Sequence, residues 1–118
     1  MISFKAKNVI ATESGDYYQV NFEETRDSLI NYLLIQRGFE FEDLTPDPVY
    51  VECGDPDLCG HVPIKEVSFT PKRFYLQVDD GNQDFAFEIT YQIDENNYQE
   101  VKRILEIILW DCKTFIRE

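Results

Sequence analysis

Between Phe74 and Ile93 apolar and polar residues alternate almost without a break, and that period of two leaves little choice of local structure. Phe74, Leu76 and Val78 take turns with Tyr75 and Gln77. Asp79-Asp80-Gly81-Asn82 turns the chain, and Phe85, Phe87, Ile89, Tyr91 and Ile93 then alternate with Ala86, Glu88, Thr90 and Gln92. Successive strand side chains point to opposite faces, so this is a hairpin with one face on a core and the other in water. A second pair opens the chain. Ile2, Phe4, Ala6 and Ile10 alternate with Ser3, Lys5, Lys7 and Val9, and after a turn at Thr12–Asp16 come Tyr18, Val20 and Phe22. Val49-Tyr50-Val51-Glu52-Cys53 and Lys65 to Thr70 add two short strands. Residues 25–37 admit two readings. Asp27 or Ser28 can cap a helix with Gly38 past its end, or Tyr32-Leu33-Leu34-Ile35 can be a central strand.

After the hairpin the period changes. Asp94 or Asn96 can cap a helix in which Tyr98, Val101, Leu105, Ile108, Cys112 and Phe115 recur at three- and four-residue spacing, with Ile104 and Leu109 widening the stripe. Lys102 and Glu106 form an i,i+4 pair on the wet side. Ile107 and Trp110 fall on the far side, near Arg103 and Thr114. Either a loop covers them or they form an exposed apolar contact, such as a homodimer contact between two copies. Strands followed by a terminal helix predict an α+β fold, with a single antiparallel sheet of about six or seven strands and the C-terminal helix packed on one face.

The 118 residues fit a single domain spanning 1–118. The richest apolar stretch, Ile104 to Trp110, is broken by Glu106 and falls far short of the roughly 18 residues of a membrane span. The N-terminus carries no apolar core of signal-peptide length, and three cysteines, an odd number, suit free thiols in a reducing cytoplasm.

Charge narrows the partner. Eleven Lys and Arg stand against 23 Asp and Glu, a net charge of −12. That argues against binding nucleic acid, which needs cations over phosphates, and against an anionic membrane surface. The acids are grouped. Gly38–Ile64 holds Glu40, Glu42, Asp43, Asp47, Glu52, Asp55 and Asp57 with no Lys or Arg. Phe74–Val101 holds Asp79, Asp80, Asp84, Glu88, Asp94, Glu95 and Glu100, again with none. Like charges repel and cost stability, so the imbalance either solvates the surface or meets a basic partner.

Candidate chemistry is thin. Cys53, Cys59 and His61 are soft or borderline ligands within nine residues, but the spacing is not that of paired zinc cysteines, a fourth ligand is missing and Cys112 belongs to the helix stripe. Asp55, Asp57, Gly60 and Glu66 imitate a calcium loop, but Cys59 stands where Asp or Asn belongs and the flanks read as strands, not helices. Nucleophilic catalysis would have to use His61, the one histidine, and no Gly-x-Ser-x-Gly elbow or glycine-rich phosphate loop is present. The expectation is a protein that is not an enzyme and carries no metal and no cofactor.

Several segments together carry a family resemblance. Asn31-Tyr32-Leu33-Leu34-Ile35-Gln36-Arg37, Val49-Tyr50-Val51-Glu52 after an acidic spacer, Cys59-Gly60 followed by Ile64-Lys65-Glu66-Val67, and the Arg73-Phe74-Tyr75-Leu76-Gln77-Val78 strand resemble the immunity protein family ten of bacterial polymorphic toxin systems. The family's double glycine before the Ile64 strand is replaced here by Gly60-His61-Val62-Pro63. The resemblance favours a strand from about Asn31 to Arg37. It implies a small cytoplasmic protein that binds and neutralises a cognate toxin domain. Acidity adds that a basic nuclease cleft would suit such a protein. The alternative is an acidic nucleic-acid mimic or adaptor outside any toxin system.

For partner binding the candidates are Tyr50 and Glu52 on one strand face, Asp55 and Asp57 in the loop after it, and Asp79 and Asp80 at the later hairpin. Aromatic anchors ringed by carboxylates suit a tight interface. Gln36 and Arg37 have a structural reading, with Arg37 placed to pair with Glu52 within the sheet.

Overall fold

The computed structural model describes residues 2–15, 17–25, 31–38, 49–54, 60–79, 84–112 and 115–117. In chain order their elements are β1 (Ile2–Ala6), β2 (Asn8–Glu13), β3 (Tyr17–Glu23), β4 (Tyr32–Gly38), β5 (Tyr50–Cys53), β6 (Gly60–His61), β7 (Ile64–Phe69), β8 (Arg73–Asp79), β9 (Asp84–Tyr91), α1 (Glu95–Ile108) and β10 (Phe115–Arg117). The fold is α+β, with α1 packed on sheet. The strand expected from Asn31 is β4, and the helix caps considered at Asp27 and Ser28 lie outside the described residues.

The strands form two five-stranded sheets, not the single sheet expected. β2 to β6 make an antiparallel meander in chain order. The other sheet runs β1-β9-β8-β7-β10, and in it β1 is parallel to β9 and β10 is parallel to β7, against the expectation of wholly antiparallel pairing. The division begins at Lys7. Phe4 and Ala6 are buried, but beyond Lys7 the buried residue is Val9, while Ile10, expected inward, is 46% exposed. The inward phase slips by one residue where the chain leaves one sheet for the other. The Lys7 amide donates to the Glu23 carbonyl at 2.8 Å and pins that corner. Strands that switch sheets at corners let two apolar faces bury each other, which a single sheet under one helix does not achieve.

Aromatic rings join the layers. Phe22 of β3 stacks on Phe74 of β8 at 4.6 Å between centroids, and Phe69 of β7 stacks on Tyr98 of α1 at 5.1 Å. Tyr91 donates its hydroxyl to the Thr70 carbonyl at 2.7 Å. Burial first, and then the neighbouring Tyr98, push its phenol well above the usual tyrosine range, while Arg73 opposes the shift.

α1 lies against β2, β3 and β4. Asp94 caps it, accepting from the Asn97 amide at 2.7 Å, as the sequence allowed. Val101, Ile104, Leu105 and Ile108 are fully buried. Side chains tie the helix to β2: Asn97 Nδ2 donates to the Val9 carbonyl at 3.1 Å, and Arg103 reaches Glu13 at 2.9 Å and Glu100 at 2.6 Å. The hydrogen bond from Arg103 holds the Glu100 carboxyl below its usual range.

The apolar stripe outlasts the helix. Cys112 and Phe115, expected on it, lie past the last helical residue, Cys112 just after the turn at Leu109–Asp111 and Phe115 in β10. The Cys112 amide, which would continue the helix by bonding Ile108, bonds the Leu109 carbonyl instead at 2.9 Å. The Ile108 carbonyl takes a hydrogen bond from Arg37 at 3.0 Å.

Candidate functional site

Register decides what the outward face of the β2–β6 sheet presents. Val20, Phe22, Leu33, Ile35, Val51 and Cys53 point to the core, so their neighbours along each strand point away from it. One row crosses all five strands, Thr12–Gln19–Gln36–Tyr50–His61. The next row is Ile10–Asn21–Leu34–Glu52. These two rows contain one carboxylate, Glu52, and no Lys or Arg. In a chain that is 29% charged, these two rows are otherwise polar-uncharged, aromatic and aliphatic, and the row beyond them, Asn8–Glu23–Tyr32, adds one more carboxylate, Glu23, which is buried.

The other sheet's outward face is different. Lys5, Arg73, Glu66 and Glu88 stand there among Ser3, Ser68 and Thr90. Arg73 pairs with Glu88 at 3.3 Å and lies 5.2 Å over the Tyr75 ring. Mixed charges with internal pairing are the mark of a solvated surface.

Glu52 is the centre of the charge-poor face. Tyr50, two residues before it on β5, donates its hydroxyl to Oε1 at 2.8 Å. Tyr32, diagonally placed on β4, donates to Oε2 at 2.9 Å. His61 sets its ring edge-on to Tyr50 at 5.4 Å. Tyr50 and Glu52 thus lie together as expected, and Tyr32 is the member that sequence reading missed. Its place follows from the β4–β5 register, for which the sequence carries no local signal.

The other candidates divide. Asp79 ends β8 in the other sheet, where its amide bonds the Pro63 carbonyl at 3.1 Å, so it does not join Tyr50 and Glu52. Asp55, Asp57 and Asp80 lie outside the described residues, as does Cys59. Cys53 is buried, Cys112 is half-buried and His61 is exposed. Among the described residues no three His, Cys, Asp or Glu side chains gather as a metal site. Glu66 sits on β7 and Gly60 on β6, so the residues that imitate a calcium loop are flanked by strands.

Arg37 is not tied to Glu52. It points inward from β4, buried, and grips Asp111 through two hydrogen bonds, Nη1 to Oδ1 at 2.7 Å and Nη2 to Oδ2 at 3.0 Å. Those bonds hold the Asp111 carboxyl below its usual range. Beside this pair is a cleft of about 400 Å³, lined by Val49, His61–Ile64, Leu109 and Cys112 as well as the pair itself. Trp110, between Leu109 and Asp111 in the chain but not part of the lining, is 61% exposed, with the Arg37 guanidinium 6.0 Å from its ring centre. Ile107, expected to accompany it, is partly buried against the core.

No helix among the described residues is long and apolar enough to cross a membrane. No family model matches this chain, and comparison with curated proteins and with solved structures returns no significant match.

Proposed function

We propose that the protein is a binding module with no chemistry of its own: a cytoplasmic immunity protein that neutralises a cognate toxin domain by stoichiometric occlusion. The observation that carries the reading is the outward face of the β2–β6 sheet. Interface centres are depleted in charge and enriched in aromatics, above all Tyr, relative to the rest of a surface. This face has that composition on a chain whose other sheet face carries Lys5, Glu66 and the Arg73–Glu88 pair. Tyr, Asn and Gln supply contact area and adaptable hydrogen bonds. The net charge of −12 selects a basic partner and speeds its arrival. The resemblance of the Asn31–Arg37, Val49–Glu52, Cys59-Gly60 with Ile64–Val67, and Arg73–Val78 segments to an immunity family adds the biological setting.

The test is capture and protection. The tagged chain is used to recover partners from its source bacterium, and each recovered partner is then expressed in a sensitive host with and without the chain. The expected result is one basic polypeptide, bound one to one, that arrests growth alone and is harmless with the chain present. A basic partner with no toxicity overturns the immunity reading in favour of the adaptor or nucleic-acid mimic. Recovery of no stoichiometric partner overturns the binding reading itself.

A further inference from the structure

We infer that Glu52, braced by Tyr32 and Tyr50, is the receptor for one basic side chain of the partner, and that this side chain is an arginine. The inference rests on the binding reading above and names the chemistry of the contact.

The carboxylate is fixed but not neutralised. Its two oxygens each accept one phenol hydroxyl, at 2.8 and 2.9 Å, and each keeps a second lone pair for a further donor. Both donors are uncharged. Among the described residues no cation pairs with Glu52. Arg37, Arg73 and Arg103 are committed to Asp111, to Glu88, and to Glu13 with Glu100. Among the described residues Glu88, Glu100 and Asp111 therefore already have their cations, while Glu52 does not.

Three further features favour a guanidinium. A carboxylate held in place by two hydroxyls has little side-chain freedom left to lose on binding. The phenols that hold it bring two aromatic rings to the same spot, and a guanidinium stacks on such rings while its planar fork meets both carboxylate oxygens. The rows around it offer amides and aliphatics instead of competing cations, with Leu34 opposite Glu52 on β4. An ammonium would satisfy the charge but neither the fork nor the stack.

The probe is N-acetyl-argininamide, with N-acetyl-citrullinamide as its uncharged isostere, titrated into the ¹⁵N-labelled full chain at physiological salt. The expected result is saturable amide shifts at Tyr32–Leu34 and Tyr50–Cys53, with β8 and β9 unmoved, and no such shifts with the citrulline analogue. Glu52→Gln should weaken the binding about tenfold or more while keeping a folded spectrum. Tyr50→Phe, which keeps the ring and removes one brace, should weaken it less. Equal shifts with citrulline, shifts unchanged in Glu52→Gln, or no saturable shift overturns the receptor. The capture experiment separates the two readings. A toxin bound equally well by wild type and Glu52→Gln leaves immunity standing and removes the receptor. Arginine binding at Glu52 in a chain that recovers no partner leaves the receptor and removes immunity.

Discussion

Arg37 and Asp111, 74 residues apart, are joined by two parallel hydrogen bonds of 2.7 and 3.0 Å. The same guanidinium takes the Ile108 carbonyl at 3.0 Å. The last turn of α1 has no basic residue of its own, so the cation that meets the negative end of the helix comes from β4. One side chain thus ends the helix, fixes the turn that follows it and ties both to the β2–β6 sheet.

Asp111→Asn should therefore destabilise the protein even though Asp111 is half exposed. The buried guanidinium loses its charged partner, but solvent at the carboxylate screens part of the loss, which leaves about 1–2 kcal/mol. Urea unfolding of both proteins at neutral pH measures it. The pH dependence has a fixed sign. The folded Asp111 carboxyl lies below its unfolded value, so its contribution is complete above about pH 4 and fades as the pH falls through the depressed folded value. The gap between wild type and variant should close in acid. A gap that stays constant into strong acid would show that the ion pair is not its source.

The β8–β9 hairpin, the Asp94 cap and the buried face of α1 were legible because each is written in local spacing. Tyr50 and Glu52 were legible as a pair because residues two apart on a strand share a face. The number of sheets was not. Alternation says that a strand has one wet face and says nothing about which strand lies beside it. The one local trace of the second sheet was the phase slip at Lys7, where Val9 and not Ile10 turns inward. Counting charges along the chain misled for a related reason. Phe74–Val101 contains no base, yet Glu88 meets Arg73 and Glu100 meets Arg103, both from just outside the window.

The phase slip can be tested directly. Val9→Ala removes a buried side chain and should cost about 1–3 kcal/mol, whereas Ile10→Ala, on the outward face, should stay within about 0.5 kcal/mol. Leu105→Ala, in the fully buried stripe of α1, sets the upper end at about 2–5 kcal/mol. The denaturant midpoint should be highest for Ile10→Ala, lower for Val9→Ala and lowest for Leu105→Ala. A larger loss at Ile10 than at Val9 would return β2 to the phase of β1.

Trp110 reports on self-association. With Ile107 packed against the core, the apolar contact expected from the two residues is reduced to one exposed indole. A lone ring is far short of the roughly 1,000 Å² that a specific interface buries. Its fluorescence should be that of a solvated indole, open to quenching by acrylamide and unchanged as protein concentration rises. A blue shift with concentration that disappears in Trp110→Ser would show copies meeting there.

The final prediction sets one sheet face against the other at constant charge. Glu52→Lys and Glu88→Lys each change the net charge by the same amount, so each weakens long-range attraction of a basic partner equally. Only Glu52 lies on the charge-poor face. Glu88 is paired with Arg73 on the opposite sheet, and that half-exposed pair contributes little to stability. Glu13, outside both acidic stretches, would be a poor control because it holds Arg103 at 2.9 Å. With the captured partner, both variants should slow association modestly, and the slowing should vanish at high salt as the Debye length contracts from about 10 Å at 0.1 M to about 3 Å at 1 M. Dissociation should separate them. Glu52→Lys places a cation where the partner's own cation docks and should raise the off-rate at least about tenfold at any salt, while Glu88→Lys leaves it unchanged. Surface plasmon resonance at two salt concentrations reads both rates. Equal off-rates for the two variants would mean that the partner feels only the overall charge, and the β2–β6 face would lose its assignment as the docking surface.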